Sequence, residues 1–232
     1  MDFDGDFASA TTSRPAPARF AACYEALAAS GTPGVVSIHL SGELSGTAES
    51  ARAAAGDAPV PVEVVDSRSI AMGLGYPVLA AARAAAAGES LESVAAAARE
   101  CAARARTFFY VDTLEHLRRG GRVGTAASLL GSALLIKPLL HLVDGQIALL
   151  DKVRTSARAL TRLEDLAVRA AGEAPVEIAV QHLAAPGRAE ALVERLAKRV
   201  PVLTRSRVVE AGAVIGIHVG PGTVGVTVSP AD

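Results

Sequence analysis

The chain has 232 residues, 50% of them hydrophobic, with 23 Lys and Arg against 24 Asp and Glu, for a formal net charge of -1. That length and apolar content suffice to bury a sizeable core in one large or two modest domains. The charge balance gives no electrostatic draw toward nucleic acid or an anionic membrane surface, and an aromatic content of 3% without Trp offers no stacking platform for bases.

The opening "MDFDGDFASA" is acidic and lacks the basic-then-apolar order of a secretion signal. No apolar run reaches the roughly 18 residues that span a bilayer. The expectation is a cytoplasmic protein with no transmembrane segment, for which transient membrane contact stays open. Strand-like and helix-like segments then alternate, the pattern of a layered α/β fold. Helix "PARFAACYEALAAS" ends at Gly31, strand "GVVSIHL" follows, and the turn "SGELSG" leads into helix "TAESARAAA". Strand "VEVVDS" precedes two helices, one over Tyr76 to Ala87 and one opened by Ser90, with Glu92 and Ser93 in its first turn. The second half carries strand candidates "TFFYV", "PLLHLV", "QIALLDKV", "VEIAVQH", "VLTRSRVV" and "TVGVTV", interrupted by two clear helices. Asp144–Gly145 between two of them is a hairpin signal, so that sheet is at least partly antiparallel. The boundary is placed near Ala105, giving an N-terminal parallel α/β domain over 1–105 and a C-terminal mixed-sheet α/β domain over 106–232.

The turn after "GVVSIHL" has a physical reading of its own. A strand-to-helix turn aims the first helical N–H groups at one spot that favours an anion. Ser45 and Thr47 add hydroxyls, while Gly42 and Gly46 permit close approach. Simple N-capping is the alternative, because Ser and Thr are preferred caps. "RRGGRV" around Arg122 reads equally as a solvated glycine turn after a helix, and His218 as a structural histidine beside a Gly-rich turn. His39, His116, His141 and His182 have no motif around them and read as structural or exposed. Cys23 and Cys101, lacking the spacing of a zinc or redox site, read as small buried hydrophobes.

Taken in order, "TTSRP" (Thr11–Pro15), "LSGTAESA", "VVDSRSIAMGLG", "TLEHLRRGGRVG" (Thr113–Gly124), "LLIKPLL" (Leu134–Leu140), "DGQIALLDKVRT" (Asp144–Thr155) and "IGIHVGPG" (Ile215–Gly222) form a specific set. It resembles the DegV family, in particular the fatty-acid-binding subunits of the bacterial fatty acid kinase. The resemblance implies a two-domain protein enclosing one long-chain fatty acid between its domains. A separate kinase catalytic subunit would phosphorylate the carboxylate to an acyl phosphate for phospholipid synthesis, with no cofactor or metal in this chain. Matched position by position, the carboxylate-binding residues are Thr12, Ser45, Arg122 and His218, supported by the backbone of Gly46, Thr47 and Gly121. Arg154 in "KVRT" is a candidate contact for the kinase, on charge grounds. Relatives begin with a further strand–helix portion where this chain has "MDFDGDFASA". The expected parallel sheet therefore lacks its first strands, leaving an unpaired edge and exposed apolar surface.

The competing reading is an enzyme acting on a small phosphorylated or keto metabolite, with Ser45 or His218 as covalent participant. It lacks a nucleophile-elbow motif.

Overall fold

The computed structural model describes residues 10–129 and 136–231. The first nine residues, on which the expectation about the start of the chain falls, lie outside them, as do Leu134 and Leu135 of "LLIKPLL". The described residues group into two compact units.

One unit holds residues 14–105 with the 144–146 turn. Its elements are α1 (Pro17–Ala29), β1 (Val35–His39), α2 (Thr47–Ala55), β2 (Val62–Asp66), α3 (Met72–Ala86) and α4 (Leu91–Arg104). Strands β1 and β2 form a two-stranded parallel sheet in register from Val35↔Val62 to His39↔Asp66. Alternation along β1 sends its side chains to opposite faces. Val36 and Ile38 pack with Val65 against Ala81, Val94, Ala95 and Ala98 of α3 and α4. Ser37 and His39 meet α1 instead: Tyr24 donates to Ser37 Oγ at 2.9 Å, Ser37 Oγ lies 2.8 Å from His39 Nε2, and Phe20 meets His39 edge-on. A groove of about 680 Å³ opens on the Val36 and Ile38 face, lined also by Val78, Ala81, Leu91 and Val94. α4 starts as its sequence predicts, with Ser90 Oγ accepting from Ser93 N at 3.1 Å.

The cysteine expectation is corrected. Cys23 is exposed and Cys101 half-buried. On α1 the inward-facing position is the next residue, Tyr24, at 2% exposure.

The other unit is built on a six-stranded mixed sheet, β3 (Arg106–Tyr110), β4 (Lys137–Val143), β5 (Gln146–Val153), β6 (Val176–His182), β7 (Leu203–Glu210) and β8 (Val224–Pro230). Their order is β5-β4-β3-β8-β6-β7, antiparallel at β3–β4, β3–β8 and β6–β8 and parallel at β6–β7. Asp144 and Gly145, both at positive φ (50° and 84°), make the two-residue turn between β4 and β5 that "DG" predicts. Helices α6 (Ser156–Ala171) and α7 (Pro186–Arg199) cover one face. Leu163, Ala167, Leu192 and Leu196 pack there on Tyr110, Ile178, Val180 and Val226 as one core. Glu164 of α6 is buried and accepts from Arg195 and Arg199 of α7, each at 2.7 Å, which ties the two helices together. Two short helices remain, α5 (Glu115–Arg119) and α8 (Ala213–Val219).

Among the described residues no helix is long and apolar enough to cross a membrane.

Candidate functional site

The sequence "TLEHLRRGGRV" builds a short helix with a defined end. Leu117 is fully buried and anchors α5. Gly121 N bonds Arg118 O and Arg122 N bonds Leu117 O, at 3.0 and 2.9 Å, with Gly121 at φ 69°. This paired closure needs a residue at positive φ after the helix, which is the glycine's role. Its consequence is that Arg122 leaves the helix end with its direction fixed, and its guanidinium donates to Gly120 O.

α8 faces α5 in the same unit, and the two helices exchange histidines. A Cβ on Gly120 would overlap His218 Nδ1, and a Cβ on Gly220 would overlap the ring of His116. Each glycine at a helix end thus leaves the space that the other helix's imidazole fills. Thr12 completes the group: its Oγ1 lies 2.7 Å from His218 Nε2. His218 Nδ1 is buried and has no hydrogen-bond partner among the described residues. Arg119 Nη2 donates to His116 Nδ1 at 3.2 Å, which leaves the proton of neutral His116 on Nε2.

These side chains line a pocket of about 110 Å³ that takes in Thr12, His116, Arg119, Arg122 and His218. Among the described residues no carboxylate lines it. Burial holds His218 below its ordinary 6.5, and the positive charge of Arg122 adds to this. Burial and then Arg119 do the same to His116, against a smaller opposing effect of Glu115. Both imidazoles are therefore neutral near pH 7, and the fixed positive charge comes from the two arginines. Hydroxyl, imidazole and guanidinium around a small recess make a receptor for an oxyanion.

Thr12, Arg122 and His218 are thus brought together. Ser45, Gly46 and Thr47 belong to the other unit. There the capping alternative does not hold: the N-cap of α2 is Gly46, with no side-chain cap, and Ser45 Oγ pairs with Thr47 Oγ1 at 2.8 Å. Nor are Gly42 and Gly46 open approaches. A Cβ on Gly42 would meet Asp66 Oδ2 at 2.8 Å, and one on Gly46 would meet Arg14 at 2.6 Å. Arg154 is exposed just before Thr155, whose hydroxyl caps α6. His116 and Arg119 went unassigned in the sequence, although both "HLRRGG" and "HVGPG" set a histidine shortly before glycine. Among the described residues no group of His, Cys, Asp and Glu is arranged to hold a metal.

Lys137 and Arg188, by contrast, both pair with Asp112, at 3.4 Å each. Burial alone would raise the Asp112 carboxyl, but Tyr110 donating to it and the two cations hold it low. That cluster keeps one net positive charge, but both cations are bound to Asp112, and it reads as a structural network at the end of β3.

The fold and the pocket define a two-unit α/β protein with a recess lined by hydroxyl, imidazole and guanidinium groups. The chain belongs to the DegV family, described as uncharacterised proteins, whose model matches residues 6–231. It is 57% identical over 219 residues to a DegV domain-containing protein of Streptomyces coelicolor, covering 94% of this chain and 78% of that one. Among solved structures it is similar to a DegV family protein from Thermus thermophilus described for its fatty acid binding, at 36% identity and TM-score 0.88, covering 95% and 79% of the two chains. It is also similar to DegV of Bacillus subtilis, described as a fatty acid binding protein, at 34% identity and TM-score 0.85, covering 95% and 79%.

Proposed function

We propose that this chain binds a long-chain fatty acid, holds its carboxylate with Thr12, Arg122 and His218, and presents it in the cytoplasm to a separate kinase subunit. The observation that carries the reading is the Thr12–His218 hydrogen bond beside the Arg122 guanidinium, in a recess that no carboxylate of the described residues lines. Solved relatives described as fatty-acid-binding proteins support the ligand class. Ser45 lies in the other unit, and its part in the same head-group site is an expectation from the family motif.

The energetics divide the labour. Burying a tail of about 14 methylenes at roughly 0.8 kcal/mol each contributes up to about 11 kcal/mol, whereas a charged hydrogen bond nets about 1.5–3. The tail supplies affinity and the polar group supplies orientation. In the reaction, a carboxylate oxygen attacks the terminal phosphorus of a nucleoside triphosphate held by the kinase. The bond from that phosphorus to the diphosphate breaks, leaving an acyl phosphate and a nucleoside diphosphate for phospholipid synthesis to use. Exposed Arg154 is the candidate contact for that kinase.

A covalent enzyme through Ser45 or His218 finds less support. Ser45 Oγ is bonded to a hydroxyl, which is not a base, and among the described residues no carboxylate lines the recess to orient His218. The test is organic extraction of protein purified from a bacterial host, followed by mass spectrometry and with a thermal melt alongside. Long-chain acid at close to one per chain is expected. Well-folded protein that carries none, or carries a phosphorylated metabolite, sinks the reading.

A further inference from the structure

Ser41 is buried at 0% exposure and uses every polar group it carries. Its N–H donates to Ser69 O at 2.9 Å, and its carbonyl accepts from Leu44 N and Ser45 N, each at 3.1 Å. Its hydroxyl accepts from Glu43 N at 3.2 Å and donates to Gly145 O at 2.6 Å. The turn from Ser41 to Ser45 is therefore closed from within, and the one bond that its buried hydroxyl sends out goes to the 144–146 turn, which groups with the same unit. That turn is shaped for the contact. Gly145 stands at φ 84°, where a side chain is strained, and a Cβ there would meet Ser41 Oγ at 2.6 Å. Its neighbours grip the same loops: Arg68 Nη2 donates to Asp144 O at 2.7 Å, and Gln146 Nε2 to Glu43 Oε2 at 3.0 Å. Those two contacts are exposed and weakly held in water, whereas an unmade bond at buried Ser41 leaves polar groups out of reach of water. The Ser41–Gly145 bond thus outweighs them. Ser45 closes the turn, its backbone N–H held by Ser41 and its hydroxyl paired with Thr47 Oγ1.

We propose that Ser41 is a positioning residue for the hydroxyl of Ser45: the Gly145 carbonyl fixes the Ser41 hydroxyl, Ser41 fixes the turn, and the turn fixes where Ser45 presents its own hydroxyl to a carboxylate. The inference rests on the fatty-acid reading above, in which Ser45 meets the head group, and adds what holds that hydroxyl in place. Ser41, with no exposed surface, touches no ligand and acts only through Ser45. A donor that must meet one carboxylate oxygen has to stand within about 0.5 Å of its working place. Without the Ser41 hydroxyl the turn keeps its carbonyl bonds but loses its ties to Glu43 and Gly145, and the donor no longer has one place.

The experiment measures binding of carboxyl-labelled hexadecanoate to delipidated wild type, Ser41→Ala, Ser45→Ala and the double variant, by calorimetry and carbon-13 titration, with circular dichroism melts. Ser45→Ala is expected to weaken binding about fivefold and Ser41→Ala about threefold. Each also raises the pKa of the bound acid, because a hydroxyl donor favours the ionised carboxylate. In the Ser45→Ala background the Ser41 change is expected to alter binding by less than about 1.5-fold and to leave the titration where it was, since the residue it acts through is gone. A loss at Ser41→Ala that is the same in both backgrounds marks a general structural role and overturns the proposal. So does a Ser41→Ala protein that binds and titrates as wild type. Ser41→Cys, which offers a weaker donor at similar volume, takes the place of alanine in the same comparison if the alanine variant melts below the working temperature. Wild type that binds no hexadecanoate refutes the fatty-acid reading, and the proposal falls with it. Wild type that binds while Ser45→Ala changes nothing removes Ser45 from the head group and overturns the proposal alone, leaving Thr12, Arg122 and His218 in place.

Discussion

The hydroxyl of Thr12 lies 2.7 Å from Nε2 of His218, across 206 positions of sequence. The imidazole is neutral near pH 7, and its tautomer decides whether Thr12 or His218 donates in this bond. Thr12→Val removes the hydroxyl with little change of volume, a loss of about 1 kcal/mol. Phosphorylation of bound acid by the kinase is expected to fall more than retention of the acid, because retention depends on the tail. An unchanged phosphorylation rate would take Thr12 out of the site.

Arg122→Ala should move two titrations in the same direction. The guanidinium favours the ionised carboxylate, so its loss raises the pKa of the bound acid. It also disfavours the imidazolium of His218, second only to burial, so its loss raises that pKa too. Carbon-13 titration of carboxyl-labelled ligand and histidine resonances read in one sample test both. Two unmoved curves would contradict the assignment.

Gly120→Ala probes the space rather than the charge. The added methyl overlaps His218 Nδ1, so the ring must leave its place, at a cost of about 1–3 kcal/mol for overpacking. A displaced, better solvated His218 titrates closer to 6.5. An alanine variant as stable as wild type, with His218 still titrating low, would mean that the two helices separate easily.

Acid should destabilise the protein in two stages. His39, His116, His141 and His218 are all held below 6.5, burial being the first cause in each. The unfolded chain therefore binds more protons than the folded one once pH drops below about 6.5, and stability falls from there. Glu164 enters later: burial alone would raise it, but hydrogen bonds from Arg199 and Arg195 hold it below its ordinary 4.5. Its contribution is intact above 4.5 and is lost as pH falls through the lower folded value. Thermal melts that are flat from about pH 7.5 to about 5 would refute the first stage.

What the sequence disclosed follows from how local each signal is. Ser90 and Asp144–Gly145 act within a few residues, and both occur where read. Thr12, Arg122 and His218 were legible through motifs, since only the fold brings residues so distant in the chain around one recess. Cys23 is exposed where the sequence reads as buried because α1 is rich in alanine, so its helical period carries little polarity contrast and the buried face is marked by Tyr24 alone. His116 and Arg119 were illegible for another reason: their place depends on α5 lying against α8, which no spacing within "HLRRGG" encodes. The hydroxyls of the Ser45 turn read as caps, yet the N-cap residue there is Gly46.

The exchange of histidines between α5 and α8 sets a rule for how this pocket can change over time. Gly120 is tied to the residue at 218, and Gly220 to the residue at 116. A lineage that replaces the imidazole at 218 with a small side chain releases Gly120, whereas Gly220, at φ 75° and ψ 165°, stays constrained by its own backbone even without the facing ring. Substitutions at 120 should therefore arrive coupled to 218 on the other helix, while Gly220 stays glycine whatever stands at 116. Gly121, held by its own backbone conformation, should vary independently of both and admit chiefly asparagine.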